Sequence, residues 1–278
     1  MAEKVNMHNS VFLKEAVDAL SVKKEGKYID ATYGVGGHTA EIMRQGGRVL
    51  AIDLDPSVSS GQSATKHIVQ GNFSDIKEIA EKDKWFPVRG IIFDLGLSME
   101  QLGKSKKGFS YRNDEDALDM RLSGKGITAS EVLNTYSEEE LEELIAKYSE
   151  EIMSLKIVRK IVAIRKNHPI VTVLDLKKVI ESVISRSSYD VYARIFQALR
   201  IIVNDEINNL RKGLTEAFEI IGKGGKIVVI TFHSIEDREV KRIVATLKNV
   251  LETRIDVKRQ RALAPYEKSA RLRIIQKQ

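Results

Sequence analysis

The chain has 278 residues, 42% of them hydrophobic, so it can bury a sizeable core and make one large or two modest domains, of which two are expected. With no cysteine it can hold neither a disulfide nor a thiolate metal site, and with no apolar run of membrane-spanning length and no secretory leader it is expected in the cytoplasm, without a membrane partner. Net charge is +6, but residues 238–278 carry twelve Lys or Arg against four Asp or Glu, which puts +8 there and −2 elsewhere; a basic stripe of that kind suits a nucleic acid.

Strand-like runs fall at 28–32, 48–53, 67–73, 90–95 and 226–232. The first four lie close together with helical patterns between several of them, which predicts a parallel sheet of βα units. The first run spills into glycines, Tyr28-Ile-Asp-Ala-Thr-Tyr-Gly-Val-Gly-Gly-His38, and the second ends in a carboxylate, Ala51-Ile-Asp53. Doubly wound α/β domains hold nucleosides in this way: glycines let the backbone approach the ligand, and the acid after the second strand binds the ribose hydroxyls.

The glycines are Gly34, Gly36 and Gly37, and Thr39 stands where a dinucleotide fingerprint would place its third glycine. A ligand without a phosphate to cradle fits better, S-adenosylmethionine rather than a nicotinamide dinucleotide, with the carboxylate of Asp30 near its charged amino-acid part. After Asp55 the stretch Ser59-Ser-Gly-Gln-Ser63 is poor helix material, so the helix of that βα unit is expected to be reduced or missing.

The fourth run ends in Phe93-Asp94-Leu-Gly-Leu-Ser98. An exocyclic amine is a poor nucleophile because its lone pair is delocalised into the ring. A carboxylate at Asp94 can accept its hydrogen bonds and help localise that pair, while the protein holds nitrogen, carbon and sulfur in line. Neither a metal nor a covalent nucleophile is required.

Between residues 95 and 226 the pattern turns helical. Thr128-x-x-Glu131 and Ser137-x-x-Glu140 read as capping boxes, residues 152–166 as an amphipathic basic helix stopped by His168-Pro169, and Thr172 as the N-cap of the next. A last long helix is predicted from near Tyr192 to Ile221, ended by Gly222. A helical domain of residues 105–205 is therefore expected, inserted into an α/β domain built from 1–104 and 206–278.

Taken together, Asp30-Ala-Thr-Tyr-Gly-Val-Gly-Gly-His38, Ala51-Ile-Asp-Leu-Asp-Pro56, Asp94-Leu-Gly-Leu-Ser98 with Gln101-Leu102, Gly108-Phe-Ser110, Leu118-Asp-Met-Arg121, Phe196-Gln-Ala-Leu-Arg200, Val203-Asn-Asp-Glu206, Thr231-Phe-His-Ser-Ile-Glu-Asp237 and Ser269-Ala-Arg-Leu-Arg273 closely resemble the bacterial ribosomal RNA small subunit methyltransferase H family, also called MraW. The resemblance runs nearly end to end, from Met7-His-Asn-Ser10 onward. It implies an α/β class I (Rossmann-like) methyltransferase sheet with an inserted helical substrate-recognition domain. The implied cofactor is S-adenosyl-L-methionine, and the implied reaction is methylation of the exocyclic 4-amino nitrogen of one cytidine in the decoding region of 16S rRNA, within the small ribosomal subunit. A homodimer is compatible with it.

Matched by motif, the cofactor-binding positions are Gly36, Gly37, His38, Asp53, Phe73, Asp94 and Gln101, with Phe73 packing on the adenine and Asp94 catalytic. Arg194, Gln197, Arg200 and Asn204 lie largely opposite the apolar stripe of Ile195, Ala198, Leu199 and Ile202, where they could hold phosphates and a flipped base. His233 and Ser234 follow the fifth run. With no second histidine or cysteine at ligand spacing, His233 is expected to contact RNA or orient a loop rather than bind metal.

The sequence departs from the family at Met99, at Gly103, at Asp190-Val191 and in an abbreviated basic C-terminal segment; these positions bear on the RNA pocket rather than on the donor. Two alternatives remain. A DNA cytosine amino-methyltransferase would share the core, although the proline-rich, aromatic-ended loop usual after its fourth strand is missing from Asp94-Leu-Gly-Leu97, and a non-catalytic ribosome-assembly factor would retain the fold.

Overall fold

The computed structural model describes residues 10–56, 65–98, 102, 105–184, 189–259, 261–263 and 267–278. Gln101, Met99, Gly103 and the segment expected to lack its helix after Asp55 lie outside the described residues. The chain divides into two compact units, Met1–Gly96 with Ile207–Gln278, and Leu97–Glu206.

The first unit is built on seven strands: β1 (Lys27–Asp30), β2 (Arg48–Asp53), β3 (Ile68–Gln70), β4 (Val88–Asp94), β5 (Ile221–Thr231), β6 (Val250–Ile255) and β7 (Arg271–Lys277). Their order is β3-β2-β1-β4-β5-β7-β6, with β1 to β5 parallel and β7 antiparallel between β5 and β6. Parallel strands are covered on both faces, so runs such as Val49-Leu-Ala-Ile52 and Ile91-Ile-Phe93 are apolar throughout and fully buried.

Alternation along the strands then sorts side chains between two cores. Ile29, Leu50, Ile91 and Ile227 meet α3 (Ile76–Lys82), α9 (Glu206–Ile220) and α10 (Ser234–Thr246), whereas Tyr28, Val49, Ile92 and Val228 meet α1 (Leu13–Leu20) and α2 (Gly37–Arg44). Gly213 on α9 lets that helix approach Phe73: a Cβ there would lie 2.7 Å from the ring.

Helices of such units end at the amino edge of the sheet, where their carbonyls need partners. Lysines at that edge supply them. Lys226 Nζ donates to Ala19 O at 2.9 Å in the last turn of α1, and Lys277 Nζ to Phe218 O at 2.9 Å in the last turn of α9. A cation there also opposes the negative end of the helix dipole.

Several expectations need correction. The strand expected over 67–73 is only three residues long, because Asn72 accepts the Ser74 N–H and turns Phe73–Asp75 into a 3-10 turn. The fifth strand pairs first at Ile221 with Val88, then bulges through its glycines until Lys226 meets Gly90. The expected long helix is two, α8 (Tyr189–Asn204) and α9, broken at Asp205 in the left-handed region at φ 49°.

The largest correction concerns the basic tail, which builds β6 and β7. Its arginines are partly committed there: Arg273 is 4% exposed and donates to Asp237 at 2.7 Å, Arg271 donates to the other oxygen of Asp237 at 2.8 Å, and Arg261 bridges Glu15 and Glu267. The charge excess is therefore not a free stripe.

The second unit contains α4 (Ala129–Thr135), α5 (Glu138–Ser149), α6 (Ser154–Arg165), α7 (Val173–Val183) and α8 around one apolar core that includes Leu133, Leu141, Ile157, Leu176 and Leu199. Thr128 with Glu131 and Ser137 with Glu140 form the two expected capping boxes, and Thr172 caps α7 with Asp175 as its reciprocal partner. Each box satisfies two helix-end N–H groups, worth about 1 kcal/mol per cap.

Candidate functional site

Because β2, β1 and β4 are parallel neighbours, their carboxyl ends bring Asp53, Asp30 and Asp94 to one rim. The turn from Ala31 to Gly36 rises beside them and enters α2 at Gly37. Gly34 and Gly36 take positive φ values of 53° and 80°, and a Cβ on Gly36 would sit 2.6 Å from the Tyr33 hydroxyl, so that position must be glycine. The Gly34 N–H donates to Asp53 Oδ2 at 2.7 Å and ties the turn to the end of β2.

Each carboxylate is held differently. Asp30 accepts from Thr39 Oγ1 at 2.7 Å and from the Thr32 N–H at 3.3 Å, clamping the end of β1 to α2. It is 1% exposed, and burial pushes its pKa from 3.8 to about 6. Asp53 also accepts the Asp55 N–H at 2.8 Å, and burial raises its pKa too. The Asp94 backbone N–H donates to Thr32 Oγ1 at 2.7 Å and its carboxylate accepts the Gly96 N–H at 3.3 Å. Its pKa is also pushed up to about 6, mainly by burial, with the charge of Asp30 adding to the shift and His38 opposing it.

His38 is 4% exposed on α2, with Nε2 at 3.2 Å from Val11 O and Nδ1 at 3.8 Å from Asp94 Oδ2. Burial drives its pKa down, so the ring is neutral near pH 7 with its hydrogen on Nε2. Its Nδ1 lone pair therefore faces a carboxylate, two acceptors side by side that are relieved when one proton enters the pair. The loop after β4 is equally constrained: a Cβ on Gly96 would fall 2.6 Å from the Phe232 ring.

Phe73 stands beyond β3, half-buried on the core and edge-to-face with Phe93 at 5.6 Å. His233 begins α10: its Nδ1 accepts the Glu236 N–H at 3.3 Å, its Nε2 lies 2.9 Å from Glu236 Oε1, and Ser234 is the first helical residue. The sequence reading missed Thr32, Thr39 and Phe232, which orient the acids and fix the loop. Thr39 was visible only as an absent glycine.

In the second unit the four residues of α8 behave differently. Arg194 pairs with the buried carboxylate of Glu151, and Arg200 makes a two-pronged pair with Glu206 at 2.7 and 2.9 Å. Asn204 accepts the Leu122 N–H at 2.9 Å and donates to Met120 O at 2.8 Å, bracing the loop that carries Leu118-Asp-Met-Arg121. Gln197 is half-exposed.

A sheet of order 3-2-1-4-5-7-6 with a reversed seventh strand, carrying a glycine turn and an acid at the end of β2, defines a class I methyltransferase. The sequence matches the MraW methylase family over residues 5–278, and the chain belongs to that family. It is 40% identical to the ribosomal RNA small subunit methyltransferase H of Dehalococcoides mccartyi over 250 residues, 84% of this chain and 70% of that protein. The proteins of the same name from Dictyoglomus thermophilum and Malacoplasma penetrans are 37% and 38% identical, over 99% and 90% of this chain and 98% and 83% of theirs.

The donor of this class, S-adenosyl-L-methionine, carries a sulfonium and an ammonium, and the rim fits a cation. Among the described residues the groups bonded to Asp30, Asp53 and Asp94 are backbone N–H groups and a threonine hydroxyl, with a buried neutral histidine nearby and no Lys or Arg. Burial raises the pKa of all three acids, and the charge of Asp30 adds to the shifts of Asp53 and Asp94, so a ligand that brings a counter-charge stabilises the rim.

Proposed function

We propose that this protein methylates the 4-amino nitrogen of one cytidine in the decoding region of 16S rRNA, using S-adenosyl-L-methionine and acting on the small ribosomal subunit. The observation that carries the reading is the convergence of Asp94, Asp53 and the Gly34–Gly37 turn on one rim. Family membership and the names of the relatives support the RNA substrate.

The donor supplies an already activated methyl group, which leaves the chain to bind, align and remove a proton. Asp53 accepts the ribose hydroxyls, the glycine turn admits the nucleoside backbone-close, and the ring of Phe73 offers an apolar edge to the adenine. Gln101 belongs to the donor set by its motif. Asp94 accepts hydrogen bonds from the amino group of the flipped base. As the nitrogen–carbon bond forms and the carbon–sulfur bond breaks, the amine gives up one proton, and the Asp94 and His38 pair is placed to take it.

Arg194, Gln197 and Arg200 are assigned to the RNA, with each arginine exchanging its own chain's carboxylate for a phosphate. Asn204 contributes by bracing the adjoining loop, and His233 with Ser234 lies at the start of α10 for the substrate side. The helical unit is assigned to substrate recognition. Incubation with labelled donor and either free 16S rRNA or assembled subunits, followed by nucleoside mapping, tests the reading. N4-methylcytidine is expected, with subunits the better substrate; label confined to guanine or adenine overturns it.

A further inference from the structure

His38 turns its Nδ1 lone pair toward Asp94 because its ring hydrogen is held on Nε2, and the acceptor that holds it is the backbone oxygen of Val11. The same peptide unit carries the Phe12 N–H, which donates to Glu267 Oε1 at 3.3 Å, 255 residues further along the chain. One trans peptide is therefore bonded at both ends, with His38 on its oxygen and the Glu267 carboxylate on its hydrogen.

The surroundings fix that peptide. Phe12 is 1% exposed and lies in the left-handed region at φ 51°, which costs a residue with a side chain about 1–2 kcal/mol and persists only where its neighbours hold it. Ser10 seats against the start of α2 at Gly37, where a Cβ would run into its Oγ; this glycine admits residues 10–12 of its own chain, whereas Gly34 and Gly36 are glycines for their backbone angles. Glu267 is buried and takes Arg261 on its two oxygens at 2.7 and 2.8 Å, and Arg261 also takes Glu15 in the first turn of α1. A carboxylate gripped in this way keeps one oxygen on the Phe12 N–H.

Hydrogen bonds in such a chain reinforce one another, by roughly 10–30% per bond, so a carboxylate on the N–H makes the carbonyl at the far end a stronger acceptor. The competing arrangement is the other tautomer. With its hydrogen on Nδ1, His38 would donate to Asp94 in a charge-assisted bond, leave the Val11 oxygen without its partner and occupy the acceptor that Asp94 offers to an amine. The Val11 oxygen, strengthened from behind by Glu267, decides between the two.

We propose that Glu267 is a positioning residue for methyl transfer, acting through the Val11–Phe12 peptide to keep the His38 hydrogen on Nε2 and its Nδ1 lone pair toward Asp94. No proton crosses the peptide. The one released by the amine stays with Asp94 and His38, and Glu267 supplies orientation and polarisation alone. Its part in methyl transfer rests on the proposed reaction; its hold on the tautomer does not.

Nitrogen NMR of His38 in the free, full-length protein near pH 7 reads the tautomer without any substrate. Wild type is expected to carry the hydrogen on Nε2, Glu267→Ala to move it to Nδ1, and Glu267→Gln, which keeps an oxygen for the Phe12 N–H, to restore the wild-type pattern. At saturating donor, Glu267→Ala should lose about tenfold or more in kcat while donor affinity by calorimetry stays within about twofold, and Glu267→Gln should recover most of the rate. Should Glu267→Ala not fold, an ester in place of the Val11–Phe12 amide, introduced as phenyllactate at position 12, deletes the same N–H and decides instead. A wild-type His38 with its hydrogen on Nδ1, or a tautomer or kcat that neither change alters, overturns the proposal. A wild type that shows the expected tautomers but makes no N4-methylcytidine supports the link from Glu267 to His38 and counts against the proposed reaction.

Discussion

Asp30 offers the sharpest check on the electrostatics of the rim. Its carboxyl is buried and titrates near 6 instead of 3.8, so ionising it costs the folded state about 3 kcal/mol, at about 1.4 kcal/mol for each factor of ten. Because the folded pKa is raised, the stabilising contribution is present below the unfolded value and is lost as pH rises from about 4 to about 6. Asp30→Asn keeps an acceptor for Thr39 Oγ1 but has no charge to bury. It gives up one acceptor, the one facing the Thr32 N–H, at a pH-independent cost of about 1 kcal/mol.

The difference in stability between variant and wild type should therefore move in favour of the variant by about 2 kcal/mol between pH 4 and pH 7, whatever its offset. Urea unfolding of both proteins without donor, at half-unit pH steps, reads this directly. Two curves that run parallel would show that Asp30 is not a strained charge and would refute the argument. With saturating donor the gap should narrow, since a bound cation relieves the same charge.

Donor affinity should fall below pH 6 by about tenfold per pH unit for each proton that Asp94 and Asp30 take up, and level off above 7; calorimetry between pH 5 and 8 checks it, and a flat profile would remove the cation argument. Asp53→Ala should weaken donor binding about tenfold to a hundredfold with a smaller effect on kcat, whereas Asp94→Ala should abolish turnover while donor still binds; equal modest losses would mean the two roles are misassigned. Gly96→Ala should cost about 1–3 kcal/mol of stability through its clash with Phe232, and Phe232→Leu should restore most of it in thermal melts.

Much of this is legible in the amino-acid sequence. The glycine turn, the acid ending β2 and the acid ending β4 are local signals: a strand of apolar residues announces itself by composition, and its last residue lies at the rim in any parallel sheet. Helix caps such as Thr128 and Ser137 are equally local, since each needs only a side chain and an N–H three residues on. These were set by the order of residues alone.

What the tertiary structure decided is everything that depends on a distant partner. β6 and β7 alternate too weakly and carry too many charges to announce themselves as strands; they form because Ile275 and Leu272 find opposite cores and because Asp237, on α10, neutralises two of their arginines. The break at Asp205 lies beside Asn204, whose amide braces a loop more than eighty residues earlier in the chain. The chemistry of the rim follows the same rule. Composition places acids at three strand ends, but only their burial together, beside a neutral His38 and without a cation, raises their pKa values and makes the site receptive to a positively charged donor.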